Sequence, residues 1–387
     1  MPPEHFRRYL KSFDEEPPVS IRLNPAKMDD ARWTVDGGEP VPWCRHAYYL
    51  DRRPNFTFDP LFHAGCYYVQ EAASMFLDEV IRQQTVYSKS SNCKSLDLCA
   101  APGGKSTLLR SALPPDSVLY SNEPVRQRAA VLLENVQKWG YSNHHVTNLY
   151  PRDYRKAGIR FSLILCDVPC SGEGMFRKDP ATIGEWSPQN VLRCQQLQRD
   201  IVSDAWPCLD DDGLLIYSTC TLNTRENEEN IRWMLAEFDA EVVPIAVKPE
   251  WHITGSLLPG FAEPVYRFIP GISRGEGLFM CVLRKRGGSR TLSKGDKTQP
   301  VATLSPLDLH VDGPHVDLTY QQAIAYLRRE ALILSPDTPR GLVEVCFMGH
   351  PLGAVKNIGS RANNLYPKEW RIKSTYIPAT YEPPIQC

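Results

Sequence analysis

Leu163-Ile164-Leu165-Cys166-Asp167-Val168-Pro169-Cys170-Ser171-Gly172-Glu173-Gly174 is the stretch whose reading decides the fold. Its apolar start, Leu163 to Leu165, reads as a buried strand. The strand delivers an acid, a proline and a thiol to its carboxyl end, the edge where open α/β sheets bind ligands. Two glycines follow, so the backbone can turn tightly or lie close to a ligand. Leu214-Leu215-Ile216-Tyr217-Ser218-Thr219-Cys220 delivers a second thiol in the same setting. A lone cysteine is more often a small core residue. Two strand-end cysteines near one acid suggest covalent chemistry instead.

Outward from that strand, residues from about 95 to 285 alternate strand, loop and helix. Strands are expected at Ser95–Leu98, Val118–Asn122, His145–Asn148, Phe161–Cys166 and Leu214–Ser218, with helices at Lys105–Leu113, Arg126–Trp139 and Val191–Cys208. This alternation means a parallel sheet covered on both faces. Asn223 to Phe238 reads as a polar turn and helix. Strand-like runs at Glu241–Val243, Val265–Ile269 and Leu278–Leu283 are expected to close the sheet's edge in antiparallel fashion.

Upstream, Val19-Ser20-Ile21-Arg22-Leu23-Asn24-Pro25 alternates as a strand ending in a turn. It reads either as a scaffold strand or as a presenter of Arg22 and Asn24 to RNA. Trp43 to Phe62 mixes six aromatic residues with Arg45, Arg52 and Arg53. That suits an ordinary half-buried sheet, or a surface that stacks bases and holds phosphates. Val69 to Arg82 reads as a helix with Ala72, Met75, Phe76 and Val80 on one face. Downstream, residues 287–300 form a polar linker. Beyond it, Tyr320–Glu330 reads as a helix, and Leu342–Met348 and Leu352–Lys356 as strands. From Arg340 to Cys387 six Lys/Arg face three Asp/Glu, with aromatics interleaved. This is either a small RNA-binding module or a packing domain with a basic face. The expected division is an N-terminal extension over 1–90, read as RNA-binding, an α/β unit over 91–286, the linker, and a tail over 301–387.

The 387 residues suit two or three domains, and 42% hydrophobic content suffices for a sizeable core. A net charge of -1 gives no global pull toward nucleic acid, so any such site must be local. No apolar run is long enough to span a bilayer, and Met1 to Leu10 lacks a signal-peptide core. Twelve cysteines are scattered with no CxxC pair, which reads as reduced thiols in a cytoplasm, without a metal site. There is no internal repeat.

Asp97-Leu98-Cys99-Ala100-Ala101-Pro102-Gly103-Gly104-Lys105-Ser106-Thr107 joins the first strand of the alternation to its helix. Small residues let the backbone approach a ligand, and the helix N-terminus favours polar or anionic groups. Gly104-Lys105-Ser106 resembles the end of a P-loop. That motif needs glycine where Cys99 stands, and Pro102 removes an amide donor from the cradle. The other reading is a nucleoside pocket. Glu123, 19 residues past Gly104, ends the second strand and can accept both ribose hydroxyls. Without a GxGxxG pattern the loop fits S-adenosylmethionine better than NAD.

Together these residues resemble the Sun/Nop family of RNA cytosine-5 methyltransferases, and within it the RsmF-like ribosomal RNA enzymes. The resemblance is carried by Ser20 to Asn24, Tyr68 to Met75, Cys99 to Lys105, Asp167 to Gly174, Trp186-Ser187-Pro188, Tyr217 to Thr221 with Glu226-Asn227-Glu228, and Gly275 to Phe279. Lys356-Asn357 and Asn363 to Trp370 look like the PUA-like tail of RsmF-type members. The resemblance implies a Rossmann-like S-adenosylmethionine-dependent fold with a mixed α/β N-terminal extension and a small β-rich PUA-like C-terminal domain. It implies a monomer acting on ribosomal RNA or the small ribosomal subunit. Many relatives carry an acid at the tip of the third strand. Asn148 stands here, and its amide oxygen could meet the adenine amine. The cofactor set is then Cys99, Ala100, Ala101, Pro102, Gly103, Gly104, Lys105, Glu123, Asn148 and Asp167.

Carbon 5 of cytosine is a poor nucleophile, and a thiolate adding to carbon 6 activates it. Asp167 would hydrogen-bond the N3 edge, with a pKa expected to be raised by burial. Chain logic alone leaves Cys170 and Cys220 equal as nucleophiles. By resemblance Cys220 attacks and Cys170 assists release. Lys105 would order the site near Asp167, Arg177 and Lys178 would contact phosphates, and the target base would leave its stack. Rival readings are a transfer RNA cytosine-5 methyltransferase, a noncatalytic ribosome-assembly factor and a P-loop nucleotidase.

Overall fold

The structure is a computed structural model that describes residues 1–28, 33–84, 93–287, 300–307, 311–374, 376–378 and 380–386. Its central sheet is built from β5 (Lys94–Asp97), β6 (Val118–Asn122), β7 (His144–Thr147), β8 (Phe161–Asp167), β9 (Leu209–Thr219), β10 (Ala240–Val242), β11 (Tyr266–Phe268) and β12 (Leu278–Lys285). The strand order is β10-β12-β9-β8-β5-β6-β7, with β11 also on β12. Strands β5 to β9 are parallel, and β10 to β12 run antiparallel, as the edge runs suggested. The Leu163–Cys166 run is buried on both faces. Leu163 and Leu165 join one apolar cluster, and Ile164 and Cys166 join the other. A parallel strand covered on both sides needs this continuous apolar character.

Helices α2 (Gly104–Ala112), α3 (Arg126–Trp139), α5 (Pro188–Ala205) and α6 (Glu228–Glu237), with the short α4 (Pro151–Ala157), accompany the strands. The sequence periodicity gives α3 to the residue. The last expected helix begins earlier, at Pro188, because the Ser187 hydroxyl caps the Asn190 N–H. The expected helix from Val69 is corrected. Tyr67–Val69 is strand, Ala73–Met75 is a 3-10 turn, and the helix α1 spans Phe76–Gln83. The reason is local: the Glu71 carboxylate accepts the Ala73 and Ser74 N–H groups at 2.8 and 2.9 Å and starts the helical turn only there.

The N-terminal sheet, ordered β2-β3-β1-β4, comprises β1 (Val19–Leu23), β2 (Glu39–Pro40), β3 (Ala47–Leu50) and β4 (Tyr67–Val69). Arg22 and Asn24 are buried, which favours the scaffold reading over an RNA contact. Arg22 donates to Gln70 Oε1, Gly104 O and Thr107 Oγ1 and lies 4.5 Å over the Trp139 ring. Asn24 Nδ2 donates to the Gly65 and Trp139 carbonyls. Trp43, Tyr49 and Phe58 are core residues, not stacking platforms.

The expected linker lies outside the described residues apart from its two ends, and so does the boundary at 90/91. The tail holds β13 (His315–Asp317), β14 (Gly341–Phe347), β15 (His350–Asn357) and β16 (Ala362–Asn364) in a four-stranded sheet, with the helix α7 (Tyr320–Leu327) between β13 and β14 in the chain. It does not stand apart. Ile324, Tyr326, Leu327 and Val355 share one apolar cluster with Ile21, Leu23, Leu61 and Tyr67. Ile385–Gln386 pairs antiparallel with Thr34–Val35. Tyr381 donates to Asp59 and stacks on Tyr320, so tail aromatics are used in packing. Among the described residues no helix is long and apolar enough to cross a membrane.

Candidate active site

Parallel pairing of β8 with β9 puts Asp167 beside Ser218 and sends both following loops off one sheet edge. The Cys170 and Cys220 sulfurs meet there at 3.1 Å, each partly buried. Gly174 makes this possible. Its N–H donates to the Cys220 carbonyl at 2.7 Å, and a Cβ on it would overlap that oxygen and the Cα of Gly277. Three backbone segments therefore touch at two glycines.

Asp167 is held from both sides. Lys105 Nζ lies 2.9 Å from Oδ2, and Ser218 Oγ donates to Oδ1 at 2.6 Å. The deep burial expected of Asp167 is corrected: its side chain is 29% exposed and ion-paired. Burial of that kind falls on Asp97, which is fully enclosed and pushed up to about 7. Cys220 is lowered, first by its hydrogen bond with Cys170, with the Lys105 ammonium helping against burial and the Asp167 charge. Cys170 is raised, first by that same bond, then by burial and by the Cys220 and Glu226 charges.

The loop after β5 is pinned along its length. Ala100 N–H donates to Asn122 O, Arg128 to Ala101 O, and Asn135 to Pro102 O. Gly103 adopts φ +117°, a left-handed conformation that favours glycine. Cys99 lines the loop with a thiol that burial raises far above its ordinary range. Glu123, at the end of β6, accepts from Val125 N–H at 2.9 Å and pairs with Arg128 at 3.1 Å. The Asn148 amide donates to the Glu123 and Pro124 carbonyls, which leaves its oxygen to act as an acceptor. The Asp97 Oδ1 atom is buried without a hydrogen-bond partner. Carboxylate and amide acceptors around a glycine-lined loop fit a nucleoside whose far end carries positive charge.

Arg177 is corrected as a phosphate contact. It is buried, forms a 2.7 Å pair with Glu276 and donates to the Gly275 carbonyl. Lys178 lines a neighbouring crevice with Arg52, Arg53 and Glu71. The sequence reading missed Ser218 and Asp97. Ser218 lies inside the Leu214 to Cys220 stretch already quoted, two residues before the thiol. Asp97 opens the loop stretch, and its strand-end position was the available signal.

Three family models match the chain: 16S rRNA methyltransferase RsmB/F over residues 85–284, the N-terminal domain of 16S rRNA methyltransferase RsmF over 1–72, and the methyltransferase RsmF PUA domain over 314–372. Ribosomal RNA small subunit methyltransferase F of Pectobacterium atrosepticum is 34% identical over 289 residues, covering 69% of this chain and 56% of the relative. Its counterpart from Serratia proteamaculans is 31% identical over 295 residues, covering 71% and 58%. The matches thus span little more than half the length of these relatives. Among solved structures, a methyltransferase homologue from Pyrococcus horikoshii aligns with TM-score 0.59 at 26% identity, covering 72% of this chain and 90% of that one. NSun6 from the same organism aligns with TM-score 0.61 at 19% identity, covering 74% and 95%, which is a likeness of fold. With a family model matched across more than half its length, a Rossmann-like sheet and a PUA-like tail, the chain belongs to the 16S rRNA methyltransferase RsmB/F family.

Proposed function

We propose that this protein transfers a methyl group from S-adenosylmethionine to carbon 5 of a cytidine in ribosomal RNA through a covalent bond between Cys220 and the base. The observation that carries the reading is the pair of thiols 3.1 Å apart at the sheet edge, beside a carboxylate paired with Lys105. S-adenosylmethionine, when bound, supplies an electrophilic methyl on its sulfonium. The loop Cys99 to Gly104 would cradle it, Glu123 would accept the ribose hydroxyls, and the Asn148 oxygen would meet the adenine amine.

Cys220 Sγ donates its electron pair to carbon 6, forming the S–C6 bond and making carbon 5 nucleophilic. Asp167, oriented by Lys105 and Ser218, would take up a proton as the base enters and donate it to N3, neutralising the charge that the thiolate brings into the ring. Carbon 5 takes the methyl group and later loses its proton to a base. The electrons of that C–H bond restore the 5,6 double bond, the S–C6 bond breaks, and its pair returns to Cys220. Cys170 would assist this release. The N-terminal extension and the tail, joined by one core, would hold the RNA, whose target base must leave its stack.

The test is to incubate the protein with methyl-labelled S-adenosylmethionine and, separately, ribosomal RNA, small subunits and transfer RNA, then digest to nucleosides. Label in 5-methylcytidine from a ribosomal substrate, lost in Cys220→Ala, is the expected result. Label in another nucleoside, or label only from transfer RNA, contradicts the proposal. No label from any substrate favours a noncatalytic assembly factor.

A further inference from the structure

The two groups are both thiols and touch each other at 3.1 Å, so a division of labour between them needs an asymmetry from outside the pair. Lys105 supplies part of it on the Cys220 side. The other part lies in a residue to which the reaction scheme gives no role. Glu226 is fully buried. Its carboxylate accepts the Ser171 N–H at 3.0 Å, the Gln198 amide at 2.7 Å and the Asn223 amide at 2.8 Å. The Ser171 N–H belongs to the peptide bond that Cys170 begins. A side chain from the loop after Cys220 therefore holds the backbone immediately after Cys170. The groups that bond it are neutral amides, which solvate the carboxylate without cancelling its charge.

Two further contacts tie this anchor to the Cys220 loop. Tyr217 OH donates to the Glu226 carbonyl at 2.6 Å, and the Glu226 N–H donates to Asn223 Oδ1 at 2.9 Å. Other charged or titratable groups face the pair as well: Lys105 from α2, Asp167 from β8, Cys194 from α5, and Glu173, which bonds Leu222 N–H and Asn223. Of the two sulfurs, Cys170 has Glu226 held on the peptide beside it, and Cys220 has Lys105.

We propose that Glu226 is a positioning residue that decides which of the two thiols attacks. It turns the Cys170 loop onto Cys220 and sets a negative charge beside Cys170, so that Cys170 keeps its proton and donates toward Cys220. Cys220 is then the sulfur free to act as thiolate. This rests on the reading of Cys220 as the nucleophile.

The test is peptide-resolved alkylation of the full chain by iodoacetamide across pH, on wild type, Glu226→Gln and Glu226→Asp, with circular dichroism to verify folding. In the wild type Cys220 reacts about tenfold faster than Cys170 near pH 7.5, since the thiolate is the reacting species. In Glu226→Gln that ratio collapses toward one, and the half-reaction pH of Cys170 moves down. Glu226→Asp, which keeps the charge but draws it back by a methylene, gives an intermediate ratio and carries the test if Glu226→Gln does not fold. A role in packing alone would change both thiols alike. An unchanged ratio in the folded variants, or Cys170 reacting first in the wild type, overturns the proposal. If the ratio behaves as stated but Cys220→Ala still methylates RNA, the nucleophile assignment fails while the effect of Glu226 on the thiols stands.

Discussion

Asp97 and Asp167 end adjacent strands, yet the fold treats them oppositely. Asp97 is fully enclosed at the end of β5, bonded to Ser106, and burial pushes it up to about 7, with the Asp167 charge adding. Its folded pKa therefore exceeds the unfolded value of about 4. Such a group stabilises the fold fully below pH ~4, and that contribution is lost as pH rises to about 7. Asp97→Asn removes the titration. The difference in melting temperature, variant minus wild type, should rise from pH 4 to pH 8, by an amount equivalent to roughly 1–3 kcal/mol. A difference that stays flat across that range contradicts the assignment. The sequence placed both acids at strand ends but could not rank their depth. Both acids are the last residues of their strands, so the ranking depends on what the folded loops lay over each carboxyl, which no local pattern reveals.

At the scale of elements, the loops after β8, β9 and β11 meet through glycines. Gly174→Ala would drive a methyl group into the Cys220 carbonyl and Gly277. Overpacking of this kind costs about 1–3 kcal/mol. We expect lowered thermal stability together with loss of methylation, because the thiol spacing depends on the same contact. A variant that keeps wild-type melting and activity would show that the approach is not required. The parallel strands and α3 were legible from apolar runs and 3.6-residue spacing. The start of α1 was not, because Ala72 and Met75 continue the apolar stripe into a turn that the Glu71 carboxylate organises. Arg177 was read as a phosphate ligand because its partner, Glu276, lies 99 residues away and no local pattern reveals the pairing.

At the scale of the molecule, the tail and the N-terminal extension share one core, although the methyltransferase unit separates them in sequence. The polar linker over 287–300 gives no sign of this, since composition reports on the connector and not on what its ends pack against. Leu327 in α7 is fully buried in that shared cluster. Leu327→Ala should destabilise by about 2–5 kcal/mol. The loss should appear in a tail tryptophan, Trp370, and in an N-terminal one, Trp33, as one coincident transition. Separate transitions, with only the tail signal displaced, contradict a joint core.

Cys220 is proposed to form the bond to carbon 6 and Cys170 to assist its release. The most direct measurement is denaturing electrophoresis of Cys170→Ser and Cys220→Ala after incubation with target RNA and S-adenosylmethionine. A stable protein–RNA adduct is expected in Cys170→Ser, and neither adduct nor methylation in a folded Cys220→Ala. An adduct from Cys220→Ala with none from Cys170→Ser would contradict that assignment and exchange the roles of the two thiols.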